Sequence, residues 1–337
     1  MQIVGWDIGG AHVKRVIAEA DGRLTAVDQV PCPLWLGADR LAQTLDALRA
    51  GLAQDAEHRL TMTGELADVF ESRADGVRAI VGTFGAAFGR ARIFAGRDGF
   101  VSADRAPALA ESVASANWLA TARFLSRRMS EAVLVDIGST TTDIVALRDG
   151  APGPGGYTDA ERLATGELVY TGVVRTPVAC VVEALAFSGE RVAVMAEVFA
   201  TMADVYTLTG ELVPDQRFGA AADGRGRAVP QCARRLARMI GRDAADADPA
   251  PWRRLAGTIA RLHRDRLRVG LERRLSALPA EHDPTLVGAG VGRFVVRALA
   301  ADLGLPYRDL AELWTAPAPL AAAAADCAPA ASLTQAW

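Results

Sequence analysis

The architecture of this protein is encoded most clearly in the segment IVGWDIGGAHVK (residues 3–14), whose design returns in AVLVDIGSTTTD (residues 132–143). Each segment begins with an apolar run that ends at an aspartate, Asp7 or Asp136, and continues through a turn of small residues into a β-branched run. An apolar strand, a tight turn and a second strand predict a β-hairpin in both places. The chain therefore contains an internal repeat, offset by 129 residues.

The repeat predicts two duplicated α/β domains, because each copy opens one part of the chain. With 337 residues, of which 50% are hydrophobic, there is enough material for two buried cores. We expect a first lobe at residues 1–128 and a second at residues 129–337, facing one another across a central cleft. The second lobe is expected to hold a helical insertion and a late glycine turn, GAGVG at residues 288–292.

The two hairpin turns have the composition of an anion and metal site. Backbone amides in a glycine or hydroxyl-rich turn form a concavity that binds anions, and an aspartate at the end of the preceding strand can hold a hydrated Mg²⁺. Asp7 and Asp136 are therefore the candidate metal ligands. The amides expected to hold phosphate oxygens belong to Gly9, Gly10, Gly138, Ser139, Thr140 and Thr141. Either turn alone also fits an ordinary hairpin.

Lys14 stands out because it is the single lysine among 37 basic residues, the other 36 being arginine. The compact ammonium of lysine makes a point-charge contact to phosphate that a planar guanidinium does not reproduce. Its place seven residues after Asp7 makes Lys14 a candidate catalytic residue. The alternative is a surface lysine without a role.

The late glycine turn contributes a third candidate element. Gly288, Gly290 and Gly292 would let backbone amides approach a nucleotide closely, and a helix beginning near Gly292 would add partial positive charge there. Close packing of a strand against a helix explains the same glycines equally directly.

Local patterns predict the elements between these motifs. Apolar spacing predicts a helix over residues 41–53 and another over residues 107–128, and residues 60–65 fit a strand that ends in a polar turn. Residues 77–81 and 91–94 have the composition of strands.

Composition excludes several classes of function. A formal net charge of −3 lacks the positive field of a general nucleic-acid binder, and no segment has the length and apolarity of a membrane span. Residues 225–274 are rich in arginine, and the pattern from Arg261 to Leu275 has helical apolar spacing, which favours a solvated amphipathic helix over an RNA-binding surface. The four cysteines are far apart, so a zinc site has no support. We expect a cytoplasmic protein.

The motifs resemble those of a known superfamily. The two hairpins and the late glycine turn are similar to the phosphate-1, phosphate-2 and adenosine motifs of the sugar kinase, Hsp70 and actin superfamily. More narrowly, five segments resemble the hydantoinase/oxoprolinase-like proteins linked to tetrahydromethanopterin-dependent C1 transfer. These segments are WDIGGA (6–11), TMTGEL (61–66), ANWLATA (116–122), GELVYTGVVRTP (166–177) and AEVFATMADVY (196–206).

The resemblance implies two RNase H-like domains of the actin type and a transferase activity. In this family an (aminomethyl)furanmethyl diphosphate is joined to the phenol of a (poly)glutamyl-tyramine with release of diphosphate, in methanofuran or methylofuran biosynthesis. The implied cofactor is Mg²⁺, with ATP or another phosphorylated ligand as an option, and the partners are these small molecules. The oligomeric state stays open, with a homodimer as one option.

Two other classes of function remain open. One is an ATP-dependent small-molecule kinase or ATP-coupled hydrolase of the same superfamily. It is weakened because Gly10-Ala11-His12 replaces the hydroxyl residues expected in the first turn. The other is a nucleotide-sensing interaction protein that changes partner affinity through domain closure.

The substrate-contacting residues are predicted less sharply than the turns. Lys14 would neutralise the leaving diphosphate, and a base must help the phenol to ionise. Candidates for that base are His12, Glu65, Asp143 and Glu167. Asn117 and Arg175 are candidates for contacts to substrate. For each of them a capping or structural role is the alternative.

Overall fold

A computed structural model describes residues 1–215, 218–278 and 283–336 of the chain. Contacts divide it into two compact units that are discontinuous in sequence. The first unit comprises Met1–Leu134, Val145–Arg162 and the residues from Arg308 onward, and the second comprises Val135–Ile144 and Leu163–Tyr307. The lobe boundary after residue 128 stays a prediction.

The first sheet has six strands. They are β1 (Gln2–Ile8), β2 (His12–Glu19), β3 (Leu24–Pro31), β4 (Glu57–Met62), β5 (Arg92–Phe94) and β6 (Phe100–Ser102). Their order is β3-β2-β1-β4-β5-β6, with β1 antiparallel to β2 and parallel to β4. The predicted first hairpin is therefore confirmed. So is the predicted strand within residues 91–94.

The other strands lie in a second sheet and a short ribbon. They are β7 (Ala132–Ile137), β8 (Thr142–Arg148), β9 (Ala151–Pro152), β10 (Leu168–Val169), β11 (Ala184–Phe187), β12 (Glu190–Ala193), β13 (Leu286–Ala289) and β14 (Tyr307–Asp309). The second sheet has the order β10-β8-β7-β13-β14, with β9 paired to β8, and β11 pairs with β12 alone. The neighbouring β7 and β8 confirm the second hairpin.

The helices complete the element order. They are α1 (Asp39–Ala47), α2 (Arg73–Phe88), α3 (Ala110–Val113), α4 (Asn117–Ser126), α5 (Asp159–Thr165), α6 (Met202–Thr209), α7 (Val229–Met239), α8 (Pro249–Leu275), α9 (Arg293–Leu303), α10 (Ala318–Asp326) and α11 (Ala328–Leu333). The predicted amphipathic helix from Arg261 to Leu275 is confirmed by α8, and the helix near Gly292 by α9. Among the described residues, no helix is both long and apolar enough to cross a bilayer.

Two local predictions were wrong. Residues 77–81 form part of α2, not a strand, because Val77, Ile80 and Phe84 continue a helical spacing of buried residues that outweighs the β-branched composition. Ser72 is the N-cap of this helix, and its hydroxyl accepts a hydrogen bond from the amide of Asp75 at 3.2 Å.

The second error concerns residues 107–128, which do not form one continuous helix. A short 3-10 turn and α3 are separated from α4 by Ala114–Ala116. Ser115 has a φ of 51°, a left-handed conformation that ends the first helix and lets the chain change direction. The helix predicted over residues 41–53 also ends early, at Ala47.

The core of the first unit is built around β1. Trp6 is fully buried; its indole N–H donates to Nδ1 of His58 at 3.1 Å, and its ring packs against Phe84 and Phe88 of α2. Helix α11 packs directly against the same strand, since a Cβ on Gly5 would lie 1.9 Å from the carbonyl oxygen of Ala330. Strand β1 is thereby fixed, and Asp7 at its carboxyl end is fixed with it.

Candidate active site

The first hairpin places Asp7 directly opposite Lys14 in the strand register. Lys14 Nζ lies 3.4 Å from Asp7 Oδ2, and Asp7 is 3% exposed. Burial raises the pKa of Asp7, while Lys14 and a hydrogen bond from Asn117 act in the opposite direction. Asp7 Oδ1 is buried without a hydrogen-bond partner. The sequence-predicted residues Asp7, Lys14 and Asn117 therefore meet, and one carboxylate oxygen is left for a ligand.

Strand β4 pairs with β1 beside Asp7 and contains further polar residues of this site. Thr61 is the register partner of Asp7, and its hydroxyl is fully buried without a hydrogen-bond partner. At Gly64 an added Cβ would lie 3.1 Å from Ile8 O and from Gly9 C, so the chain approaches the first turn closely here. Glu65, the next residue in the chain, therefore lies close to the first turn.

Glu65 forms a second polar cluster with residues that sequence analysis did not find. Its Oε1 lies 2.9 Å from Ser115 Oγ, which is also 3.2 Å from Asp159 Oδ2. Asp159 in turn forms an ion pair with Arg73 at 2.8 Å. Glu65 is 1% exposed, its Oε2 has no hydrogen-bond partner, and burial raises its pKa. No sequence signal links Ser115 or Asp159 to Glu65, because they are 50 and 44 positions from their partners in this cluster.

The turn of the second hairpin has the same internal hydrogen bond as the first. Gly138 N donates to Thr141 O at 2.9 Å, as Gly9 N donates to His12 O at 2.9 Å. These two amides are used inside the turns, so an anion would be held by amides of the residues that follow. In the second turn those residues are Ser139, Thr140 and Thr141, all partly exposed.

The segment of residues 172–175 contacts the second turn and holds its backbone in place. Val173 N donates to Gly138 O at 3.1 Å, and Arg175 N donates to Ser139 O at 2.8 Å. A Cβ on Gly172 would lie 2.5 Å from Gly138 O, so the segment is in close contact with the turn. The backbone of Arg175 thus supports the turn, and its side chain is exposed beside it.

The late glycine turn packs against the end of β7. A Cβ on Gly290 would lie 2.4 Å from Asp136 Oδ1, and Gly292 N donates to Ile137 O at 2.8 Å. At Gly288 a Cβ would lie 2.8 Å from the hydroxyl oxygen of Tyr307. Close packing accounts for all three glycines, so their presence gives no independent support for an adenosine site.

Other predicted residues have structural partners. Glu167 is fully buried and is held by Arg274 at 3.0 Å and by the hydroxyl of Thr165 at 3.1 Å. Asp143 pairs with Leu168 in the strand register, and the buried His12 begins β2. Among residues 1–215, 218–278 and 283–336, no group of three or more histidine, cysteine or acidic side chains could by itself hold a metal ion.

The strand orders and the repeated hairpin define the class of protein: an α/β protein with two RNase H-like domains of the actin, Hsp70 and sugar kinase type. A nucleotide-free structure of an ATP-dependent acetone carboxylase shares this fold, with a TM-score of 0.54 and 14% identity over 97% of this chain and 70% of the carboxylase chain. The hydantoinase/oxoprolinase family model matches residues 57–330, and the chain belongs to that family.

Two characterised relatives have the same name, (4-{4-[2-(γ-L-glutamylamino)ethyl]phenoxymethyl}furan-2-yl)methanamine synthase. The chain is 31% identical to the synthase of Methanocaldococcus jannaschii over 71% of its own length and 72% of that protein. It is 39% identical to the Methanococcus vannielii synthase over 25% of its own length and 38% of that protein. The family resemblance expected from the five sequence segments is confirmed.

Proposed function

We propose that this protein joins an (aminomethyl)furanmethyl diphosphate to the phenol oxygen of a glutamyl-tyramine and releases diphosphate, in methanofuran or methylofuran biosynthesis. The observation that supports this most directly is the match to the M. jannaschii synthase over 72% of that protein. Its name describes a furan and a glutamyl-tyramine phenyl group joined through a phenoxymethyl ether, which is the bond that this reaction would form.

The chemistry requires stabilisation of a leaving group more than activation of a carbon. As the furfuryl C–O bond breaks, the electron-rich furan delocalises the positive charge, and negative charge develops on diphosphate. Lys14, partly exposed beside the first turn, provides a cation for that charge. In the first unit, the turn amides of residues 10–11 are candidate donors to the diphosphate oxygens. The turn amides of residues 139–141 form a comparable candidate anion site within the second unit.

The donor set fits Mg²⁺ bound together with a phosphorylated substrate. Mg²⁺ is usually held by one or two carboxylates with substrate phosphates and water, so no larger acidic cluster is required. In the first unit Asp7 presents a buried oxygen without a partner, and in the second Asp136 lies against Gly290, where any side chain would collide with the carboxylate. When bound, Mg²⁺ would neutralise charge on the departing diphosphate.

A direct assay tests the proposal. The purified protein is mixed with (aminomethyl)furanmethyl diphosphate, γ-glutamyl-tyramine and Mg²⁺, with and without ATP. We expect diphosphate release and a new aryl ether by mass spectrometry in both mixtures. ATP consumption without the ether would instead establish a kinase or an ATP-coupled hydrolase. No product and no ATP consumption would favour a binding protein.

A substitution of Lys14 tests its proposed contact with the diphosphate. We expect Lys14→Arg to lower kcat at least about tenfold, because a guanidinium cannot reproduce the compact contact with both Asp7 and phosphate. The matched control is Arg49→Lys, an exchange of cations at an exposed position. Equal turnover in both variants would remove Lys14 from the mechanism.

A further inference from the structure

We propose that Glu65 is the general base that takes the proton from the acceptor phenol, with Ser115 and Asp159 as its positioning residues. This inference rests on the proposed function and names the group that the sequence left unidentified. It concerns the first unit alone, since all three residues belong to that unit.

The environment of the Glu65 carboxylate favours a ligand at Oε2. Glu65 is 1% exposed, and its Oε2 makes no hydrogen bond, although a buried carboxylate oxygen normally has a partner. Leaving such an atom unsatisfied is unfavourable, and more so for a charged group. A ligand that brings a hydroxyl to Oε2 would remove this cost. A phenol is such a ligand.

The single hydroxyl proton of Ser115 is shared between two carboxylates. Ser115 Oγ lies within hydrogen-bond distance of Glu65 Oε1 and of Asp159 Oδ2, but a hydroxyl donates a single proton. With Glu65 ionised, the hydroxyl can donate to Glu65. When Glu65 becomes protonated, the same hydroxyl can turn to Asp159, which forms an ion pair with Arg73 at 2.8 Å. The cluster can therefore accommodate Glu65 in both protonation states.

The backbone holds this hydroxyl in place. Ser115 has a φ of 51°, a left-handed conformation that is unfavourable for a non-glycine residue. It is held between α3 and α4 and is 8% exposed. On the other side, a Cβ on Gly76 of α2 would lie 2.4 Å from Glu65 O, so α2 packs directly on the Glu65 backbone. Both partners are thus fixed before substrate arrives.

Glu65 also lies close to the first hairpin turn. The segment that ends at Glu65 contacts the first turn through Gly64, and the segment that contains Ser115 reaches Asp7 two residues later through Asn117. The same two segments therefore hold the base and border the proposed leaving-group site. A phenol oxygen beside Glu65 would lie in the same part of the first unit as Asp7 and Lys14.

The charges around Glu65 suit a base. Burial raises its pKa most strongly; Asp159 on α5 also raises it, whereas Ser115 and Arg73 on α2 lower it. A carboxylate with a raised pKa is a stronger base for a phenol, whose own pKa is near 10. Arg73 and Asp159 are the charged groups that face Glu65.

The proton and electron accounting is complete without any further reactant. The phenol O–H bond breaks and its proton goes to Glu65 Oε2. The electron pair left on oxygen forms the new bond to the furfuryl carbon, and the C–O bond to diphosphate breaks with its electron pair going to the leaving group. Glu65 then returns its proton to water. Ser115 and Asp159 act only through Glu65.

The test compares Glu65→Gln with the wild type on two acceptors. With γ-glutamyl-tyramine we expect kcat/KM for ether formation to fall at least about 100-fold. The loss should shrink to less than about tenfold with a ring-fluorinated acceptor, whose phenol is more acidic. The wild-type profile should lose activity as pH falls through the pKa of Glu65, and this acid limb should be absent in Glu65→Gln. Glu65→Asp should keep the limb at reduced kcat.

Two further variants complete the design. Ser115→Gly preserves the left-handed backbone and removes the hydroxyl, so the acid limb should move; an unmoved limb would mean a structural role. The matched control is Glu57→Gln, on the strand leading to Glu65 but paired with Arg59 and Arg92. If the wild type forms no ether, the proposed function fails. If it forms ether and Glu65→Gln matches it at every pH, or only raises KM for the diphosphate, the base assignment fails alone.

Discussion

At the scale of single residues, Gly172 shows how the second turn depends on one missing methyl group. A Cβ there would lie 2.5 Å from Gly138 O and 2.6 Å from Ser139 C, distances that real side chains do not adopt. Both atoms belong to the turn backbone and cannot rotate away. The turn can therefore keep its present position only with glycine at residue 172.

We expect Gly172→Ala to lower the free energy of unfolding by about 1–3 kcal/mol, since the segment and the turn must separate. Diphosphate release should fall at the same time, because the turn amides move. Urea unfolding and the release assay measure the two effects. Gly82→Ala is the control: it lies in α2 with no heavy atom near the added Cβ and should stabilise slightly. Equal stability of the two variants would contradict the close contact.

Single residues also mark the limit of what the sequence predicts. The meeting of Asp7 and Lys14 follows from hairpin pairing over a few residues, which local patterns indicate well. The contact of Glu65 with Ser115 depends on packing between segments 50 residues apart and on one left-handed residue. No periodicity or spacing encodes such a contact. Glu65 could be suggested as a base, but its partners could not.

At the scale of elements, α6 and α8 of the second unit are joined through His263. This fully buried side chain lies between Thr171 Oγ1 and the hydroxyl of Tyr206, at 2.8 Å from each. Thr171 donates its own proton to Thr176, so His263 Nε2 donates to Thr171 and Nδ1 accepts from Tyr206. Thr176 also accepts the amide of Gly172. The neutral imidazole thus connects two helices to the segment that supports the second turn.

This arrangement makes stability depend on pH. Burial lowers the pKa of His263 from its ordinary 6.5 to about 4. Between these values the unfolded chain binds the extra proton, so the contribution of His263 is fully present above pH 6.5 and is lost as pH falls toward 4, about 3 kcal/mol in all. We expect His263→Gln to be less stable at pH 7.5 but to lose less stability on acidification to pH 5.

Urea unfolding at both pH values measures this difference. His58, whose pKa burial also lowers, titrates in both proteins, so the comparison isolates His263. Identical pH slopes would show that His263 is not held neutral.

The prediction of helices and strands from the sequence succeeded where one hydrophobic period dominated, as in the hairpins and α8. It failed at residues 77–81, where β-branched composition competed with helical spacing.

At the scale of the whole molecule, the end of the described chain returns to its beginning. The residues from Arg308 onward belong to the first unit, and α11 packs on β1. Arg59 on β4 donates from Nη1 to Leu333 O at 2.9 Å and to Gln335 O at 2.8 Å. The sequence repeat predicted both hairpins but could not predict this return, because the alanine-rich end has little pattern of its own and is positioned by contacts with distant elements, β1 and β4 among them.

If α11 stabilises the first sheet, substitutions at two separate positions should both act by releasing this helix from the sheet. Gly5→Ala forces Ala330 away from β1, and Arg59→Ala removes the donor to Leu333 and Gln335. We expect each single variant to lower the free energy of unfolding by about 2–4 kcal/mol. The double variant should lose at least about 1 kcal/mol less than the sum of the two single losses, because a helix already released by one change cannot be released again by the other. Urea unfolding of all four proteins gives the coupling. Full additivity would mean that the helix stays in place in each single variant and that the return of the chain is not what stabilises the first sheet.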